Sequence, residues 1–199
     1  MAIGAAMSGA GDPHGMIGSM GKRGRIFSGR VVTLDVERVP LPNGREAELE
    51  IVGHPGGAAT VALDDRGRVC LLRQYRHVAG GWVWEIPGGK LDGGRLPEQV
   101  ARAELAEEAG VEAKLWRPLG RYLSSPGVFS EVVTLFLARE LTTCARAPEP
   151  DEVVEVHWRP FADALAQALH GEIVDGKTVV ALVRADALIR LEAGGAAAR

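Results

Sequence analysis

GGKLDGGRLPEQVARAELAEEAGV, running from Gly88 to Val111, sets a glycine-rich turn directly before a stretch that carries Glu104, Glu107 and Glu108 close together. Pro97 suits a first helical turn and Gly110 the position just past a helix end, so the spacing predicts a helix over Pro97–Ala109. Such a helix is electrostatically costly. Like charges three or four residues apart repel by about 0.2–0.5 kcal/mol per pair, and acids in the last turn meet the negative end of the macrodipole. At about 100° per residue the three glutamates share an arc of roughly 100° beside Val100 and Ala101. Converging carboxylates are the oxygen-rich donors that magnesium or manganese prefers, and a cation would relieve the repulsion. The other reading is a solvated acidic face. Gly88 and Gly89 favour the first, because a residue without a side chain lets a backbone carbonyl approach an ion.

Outside this stretch, composition sets limits. A chain of 199 residues with 46% hydrophobic residues reads as one soluble globular domain, with room for a small extra lobe. A net charge of −3 gives no basic footprint for nucleic acid. No apolar run reaches the roughly 18 residues of a membrane span. Cys70 and Cys144 show neither a CxxC spacing nor the density of a disulfide framework; they read as small apolar residues in a reducing, cytoplasmic setting. Residues 1–24 are rich in Gly and Met and lack an apolar leader core, so they are expected to be a disordered tail, with Met7, Met16 and Met20 as alternative starts.

From Arg25 to His54, two β-rich runs flank a Pro-Asn-Gly turn signal, which predicts an antiparallel β segment. ATVALDD, RGRVCLLRQYRH and GWVWEIPGG read as further strands, and KLWRPLGRYL, SEVVTLFLARE and EVVEVHWRP as later ones. Helices are expected over Phe161–His170 and Lys177–Leu191, before a flexible tail at 193–199. Strands and helices intermingle without strict βαβ alternation, so a mixed sheet flanked by helices fits better than a doubly wound parallel sheet. Trp82 and Trp84 share one strand face, as core or interface residues or as a wall for a base. His14, His54, His77, His157 and His170 stand singly with no HxH or HExxH spacing, and each reads as surface or satisfied core.

The opening stretch resembles the Nudix box, G-x5-E-x7-R-E-U-x-E-E-x-G-U with U a bulky aliphatic residue. Gly89, Glu104-Leu105, Glu107-Glu108, Gly110 and Val111 match it in register. Arg95 stands where the family has Glu and Ala103 where it has Arg. The two family residues are opposite in charge, so losing both strands no unpartnered charge. The resemblance extends over about 25–191 and points to the ADP-ribose pyrophosphatase and nucleotide-sugar pyrophosphatase branch.

It implies an α/β/α sandwich with a mixed sheet (residues 55–192), plus an N-terminal antiparallel segment (25–54) that forms a homodimer. It also implies a cytoplasmic, magnesium-dependent hydrolase (manganese being possible) acting on a nucleotide sugar, with no nucleic-acid or membrane partner. ADP-ribose, giving AMP and ribose 5-phosphate, is the first choice. GDP-mannose, ADP-glucose, dinucleoside polyphosphates and a non-catalytic sensor are the alternatives. The metal ligands implied are the Gly88 carbonyl, Glu104, Glu107 and Glu108. LLRQYRHV is similar to the strand whose Arg, here Arg76, faces the phosphates; WEIPGG places Glu85 near substrate. SSPGVFSE resembles the loop that supplies Pro126 and Gly127 to substrate and Glu131 as general base, although Glu131 read alone is equally an exposed acid opening a strand. Glu107 either shares an ion or aligns the attacking water. GEIVDGKTVVALVRA is assigned to packing.

Overall fold

The computed structural model describes residues 23–147 and 152–197. The N-terminal tail therefore falls almost wholly outside the described residues. The described residues divide into two compact units, the first ending at Gly53 and the second starting at His54.

In the first unit, β1 (Arg23–Ser28), β2 (Thr33–Pro40) and β3 (Glu46–Gly53) form an antiparallel sheet in that order. The Pro-Asn-Gly turn forms between β2 and β3, with Gly44 at φ 80° and its N–H on the Leu41 carbonyl. Sequence reasoning saw one strand before this turn. There are two, because the chain folds back where Gly29 N–H meets the Val32 carbonyl at 2.9 Å.

The second unit contains β4 (Gly57–Ala62), β5 (Arg68–Arg76), β6 (Gly81–Glu85), β7 (Gly88–Lys90), α1 (Pro97–Ala109), β8 (Val111–Leu123), β9 (Val132–Thr143), β10 (Val154–Pro160), α2 (Phe161–Leu169) and α3 (Gly176–Ala197). One sheet runs β7-β4-β9-β8, with β4 and β9 parallel and the other pairs antiparallel; a second runs β10-β5-β6, all antiparallel. This is the mixed arrangement expected.

Period-2 alternation explains the layers. Ala59 and Val61 of β4, Val69 and Leu71 of β5, and Leu135 and Leu137 of β9 pack with Ala164 of α2 and Ala181 and Leu182 of α3. The intervening residues point to the other side. Ala62, Cys70, Leu72 and Ala138 pack with Leu105 and Ala109 of α1, while Ala58 and Phe136 pack with Val100 and Ala101. A strand covered on both faces is buried along its whole length, as β4 is, with Thr60 as its one polar side chain.

Two boundaries depart from expectation. The glycine stretch does not begin as a free turn: Gly88–Lys90 pairs with β4, and a Cβ at Gly88 would stand 2.6 Å from the Ala58 carbonyl, so only glycine lets the strands close. The last helix, expected to stop at Leu191, runs on to Ala197. Its alanines are the strongest helix formers and carry the helix through Gly194 and Gly195, each costing about 1 kcal/mol relative to alanine.

Candidate active site

The helix that poses the electrostatic problem forms as its ends dictate. Pro97 occupies its first turn, the Gln99 side chain accepts the Leu96 N–H at 2.8 Å, and Gly110 closes it in the left-handed region at φ 70°. A strap after β9 then satisfies the C-terminal carbonyls. Cys144 N–H donates to Gly110 at 2.9 Å, Ala147 N–H to Glu107 at 3.0 Å, and Arg146 Nε to Glu108 at 2.7 Å. Arg146 thus brings positive charge to the end of the helix where the acids lie.

A cavity of about 490 Å³ opens in front of this helix and the β7 strand. Glu104, Glu107, Glu131 and Glu152 line it, together with Gly88 and Gly89; Arg76, Lys90 and Lys177 line it as cations. Tyr122, Ser124, His54, Asp92, Arg95 and Asp175 also line it.

The three box glutamates do not stand alike. Glu104 and Glu107 reach the cavity, whereas Glu108 is buried, at 1% exposure, with Oε2 accepting the Gly88 N–H at 2.9 Å. Burial pushes the Glu108 carboxyl up to about 8; the Gly88 N–H opposes this, and the charges of Glu104 and Glu152 add to it. Among the described residues, no three His, Cys, Asp or Glu side chains already stand together as a ligand shell. The donor set nevertheless suits a hard divalent cation: every candidate donor is an oxygen, and Gly88 and Gly89 form a cradle that side chains would fill. A Cβ at Gly89 would lie 1.8 Å from Glu104 Oε1.

Glu85 is not part of the lining. It sits buried beneath the cations, its two oxygens taking Arg76 Nε at 2.7 Å and Arg76 Nη2 at 2.9 Å. Lys177 Nζ also bonds Glu85, and it reaches Asp175 at 3.0 Å. Burial raises the Glu85 pKa, but the Arg76 hydrogen bonds and the Lys177 and Arg76 charges outweigh it and hold the carboxyl below its usual range. Pro126 and Gly127 are exposed and also stand outside the lining. Of the site residues read from sequence, the cavity therefore gathers Arg76, Gly88, Glu104, Glu107 and Glu131, with Glu108 and Glu85 one layer behind.

Sequence reasoning missed Lys177, Asp175, Tyr122 and His54. The Asp-Gly-Lys-Thr segment was given to packing, yet it turns Lys177 into the cavity. Asp175 caps α3, accepting the Thr178 N–H at 3.0 Å and its hydroxyl at 2.6 Å, while Thr178 Oγ1 accepts the Ile86 N–H at 2.9 Å. Asp is a preferred helix N-cap, and Asp175 just before the start of α3 is a signal that could have marked this corner. His54, read as surface or satisfied core, stands with Nδ1 3.2 Å from Glu131 Oε1. Arg95, in the family's Glu position, pairs with Asp92 at 2.6 Å and also lines the cavity.

A mixed sheet between helices, with a glycine strand and a glutamate-bearing helix forming one wall of a cavity and basic side chains in its lining, defines the Nudix class. Residues 53–181 match the NUDIX domain, and the chain belongs to that family. It is a Nudix pyrophosphohydrolase. It is 41% identical over 160 residues to the ADP-ribose pyrophosphatase of Bacillus subtilis (strain 168), covering 79% of this chain and 86% of that one. It is 37% identical over 163 residues to the methanol dehydrogenase activator of Bacillus methanolicus, covering 81% and 88%. The fold is similar to that of a solved structure described as an ADP compounds hydrolase, with a TM-score of 0.74, 18% identity, and coverage of 86% of this chain and 93% of that one.

Proposed function

We propose that the protein hydrolyses the diphosphate bond of a nucleoside diphosphate sugar in the cytoplasm, with ADP-ribose yielding AMP and ribose 5-phosphate, and that the reaction requires magnesium, which manganese can replace. The observation that carries this reading is the make-up of one cavity: carboxylates beside a glycine cradle, with Arg76 and Lys177 in the same lining. A diphosphate is the anion that needs both, a divalent ion on one side and fixed cations on the other.

The Gly88 carbonyl, Glu104, Glu107 and Glu108 would hold the ion, which when bound supplies Lewis acidity toward the diphosphate oxygens. Arg76 presents its guanidinium to the phosphates from an orientation set by the bidentate Glu85 beneath it, and a planar fork suits paired phosphate oxygens. Lys177 adds a second cation from the start of α3. Glu131, on the rim, takes the proton from the water that attacks phosphorus as the bridging P–O bond breaks. Glu107, exposed at the mouth, aligns that water or shares an ion.

The test is a panel of ADP-ribose, GDP-mannose, ADP-glucose and a dinucleoside polyphosphate, assayed with magnesium, manganese or a chelator. The expected outcome is AMP formation fastest from ADP-ribose, abolished by the chelator and restored by magnesium. Tight binding of ADP-ribose with magnesium but without AMP formation would instead establish a nucleotide-sugar sensor.

A further inference from the structure

We propose that Arg95 sets the affinity of the glutamate cavity for its divalent ion: its charge works against the ion, and Asp92, by pairing with Arg95, limits that effect. This rests on the reading of Glu104, Glu107 and Glu108 as metal ligands. Arg95 stands where the box pattern has an acid, and the helix position that would answer it with an opposite charge is Ala103. The guanidinium takes its partner from its own turn instead.

That turn fixes where the charge lies. Gly93 and Gly94, at φ 53° and 73°, close a tight reversal in which the Arg95 N–H donates to the Asp92 carbonyl at 2.9 Å. The side chains repeat the link, with Arg95 Nε donating to Asp92 Oδ1 at 2.8 Å and Nη2 2.6 Å from the same oxygen. Both residues line the cavity together with Glu104 and Glu107. The hydrogen bond to Asp92 raises the Arg95 pKa, burial opposes the rise, and the charges of Asp92, Glu104 and Glu107 add to it.

The coupling is mutual. A guanidinium attracted by two glutamates repels any cation brought to them, and a divalent ion feels a fixed unit charge twice as strongly as a monovalent one. The Asp92 carboxylate, facing the same cavity, offsets much of this repulsion. With side chains 40% and 66% exposed, Arg95 and Asp92 act through solvent, so their effect is modest and added salt screens it.

The experiment titrates manganese alone, without nucleotide, into chelator-treated full chain and follows the free ion by its electron paramagnetic resonance. A contact between Arg95 and substrate phosphates cannot enter such a measurement. Arg95→Gln is expected to tighten manganese binding by about 3–10-fold at low ionic strength, and Arg95→Glu to tighten it further. Arg95→Lys, which keeps the charge, stays close to wild type. Asp92→Asn weakens binding by about 3–10-fold, because the guanidinium loses its counter-charge. The double variant Asp92→Asn/Arg95→Gln returns close to wild type, since the two unit changes cancel. All these differences narrow at high salt. Glu104→Gln, run alongside, loses most of the affinity.

Unchanged or weaker binding in Arg95→Glu overturns the proposal, as do differences that salt leaves untouched. A double variant as weak as Asp92→Asn also overturns it, by making Asp92 a ligand rather than a counter-charge. If Glu104→Gln loses affinity while the Arg95 series stays flat, the role of Arg95 falls alone. If Glu104→Gln binds manganese as wild type does, the ligand set and the role of Arg95 fall together.

Discussion

At the scale of single residues, Glu108 shows how position splits chemically identical groups. It shares a helix face with Glu104 one turn earlier, but it is turned inward onto the Gly88 N–H and held protonated up to about pH 8 by burial. The unfolded chain loses that proton near the ordinary glutamate value of about 4.3. Between those values the folded protein binds the extra proton. Stability from this group is therefore fully present below about pH 4.3 and is lost as pH rises toward 8, at up to about 1.4 kcal/mol per pH unit. In chelator-treated protein, Glu108→Gln is expected to flatten that decline in urea unfolding followed across pH 4–8, and, assayed separately with magnesium, the same variant is expected to lower kcat by orders of magnitude. An unchanged kcat would remove Glu108 from the proposed ligand set. The sequence marks Glu108 as one of three clustered acids. It does not mark which of them is buried, because that depends on Gly88 arriving from another strand.

At the scale of elements, helix α1 was legible at both ends, since Pro97 and Gly110 are local signals. What makes its acidic last turns tolerable was not. Part of the offset comes from residues 144–147, distant in sequence, which lay backbone N–H groups and the Arg146 guanidinium across the helix terminus. Arg146→Ala is expected to destabilise the protein by about 1 kcal/mol, combining a lost charged hydrogen bond with a lost dipole contact at an exposed position. Urea unfolding measures it, and Arg146→Lys should recover part of the loss because charge remains while the Nε geometry does not. Lys177 was hidden for the same reason. The Asp175 cap and Thr178 are local, but the tie from Thr178 Oγ1 to the Ile86 N–H joins α3 to the end of β6 and turns the start of that helix toward the cavity.

At the scale of the whole molecule, the first unit remains to be assigned a task. Its sheet exposes Ile26, Phe27 and Leu49, and exposed apolar side chains gathered on one small sheet favour burial against a partner. The segment 25–54 is accordingly proposed as the homodimer contact. Light scattering of the wild-type protein is expected to give twice the chain mass, and Ile26→Asp/Phe27→Asp is expected to give a monomer. A wild-type monomer at micromolar concentration would exclude the dimer.

By itself, the sequence determined what is written in nearest neighbours and in strict spacing: the α1 helix, the Nudix signature around it, the run of strands and their mixed character. These follow from backbone preferences and side-chain periodicity, which act over a few residues. Only the tertiary structure decided that Glu108 lies behind Gly88, that Glu85 supports Arg76 from beneath, and that His54 and Lys177 belong to the cavity. Each of those facts depends on groups far apart in the chain meeting in a medium of low polarity, where a buried charge or dipole must find a partner and no local signal names it.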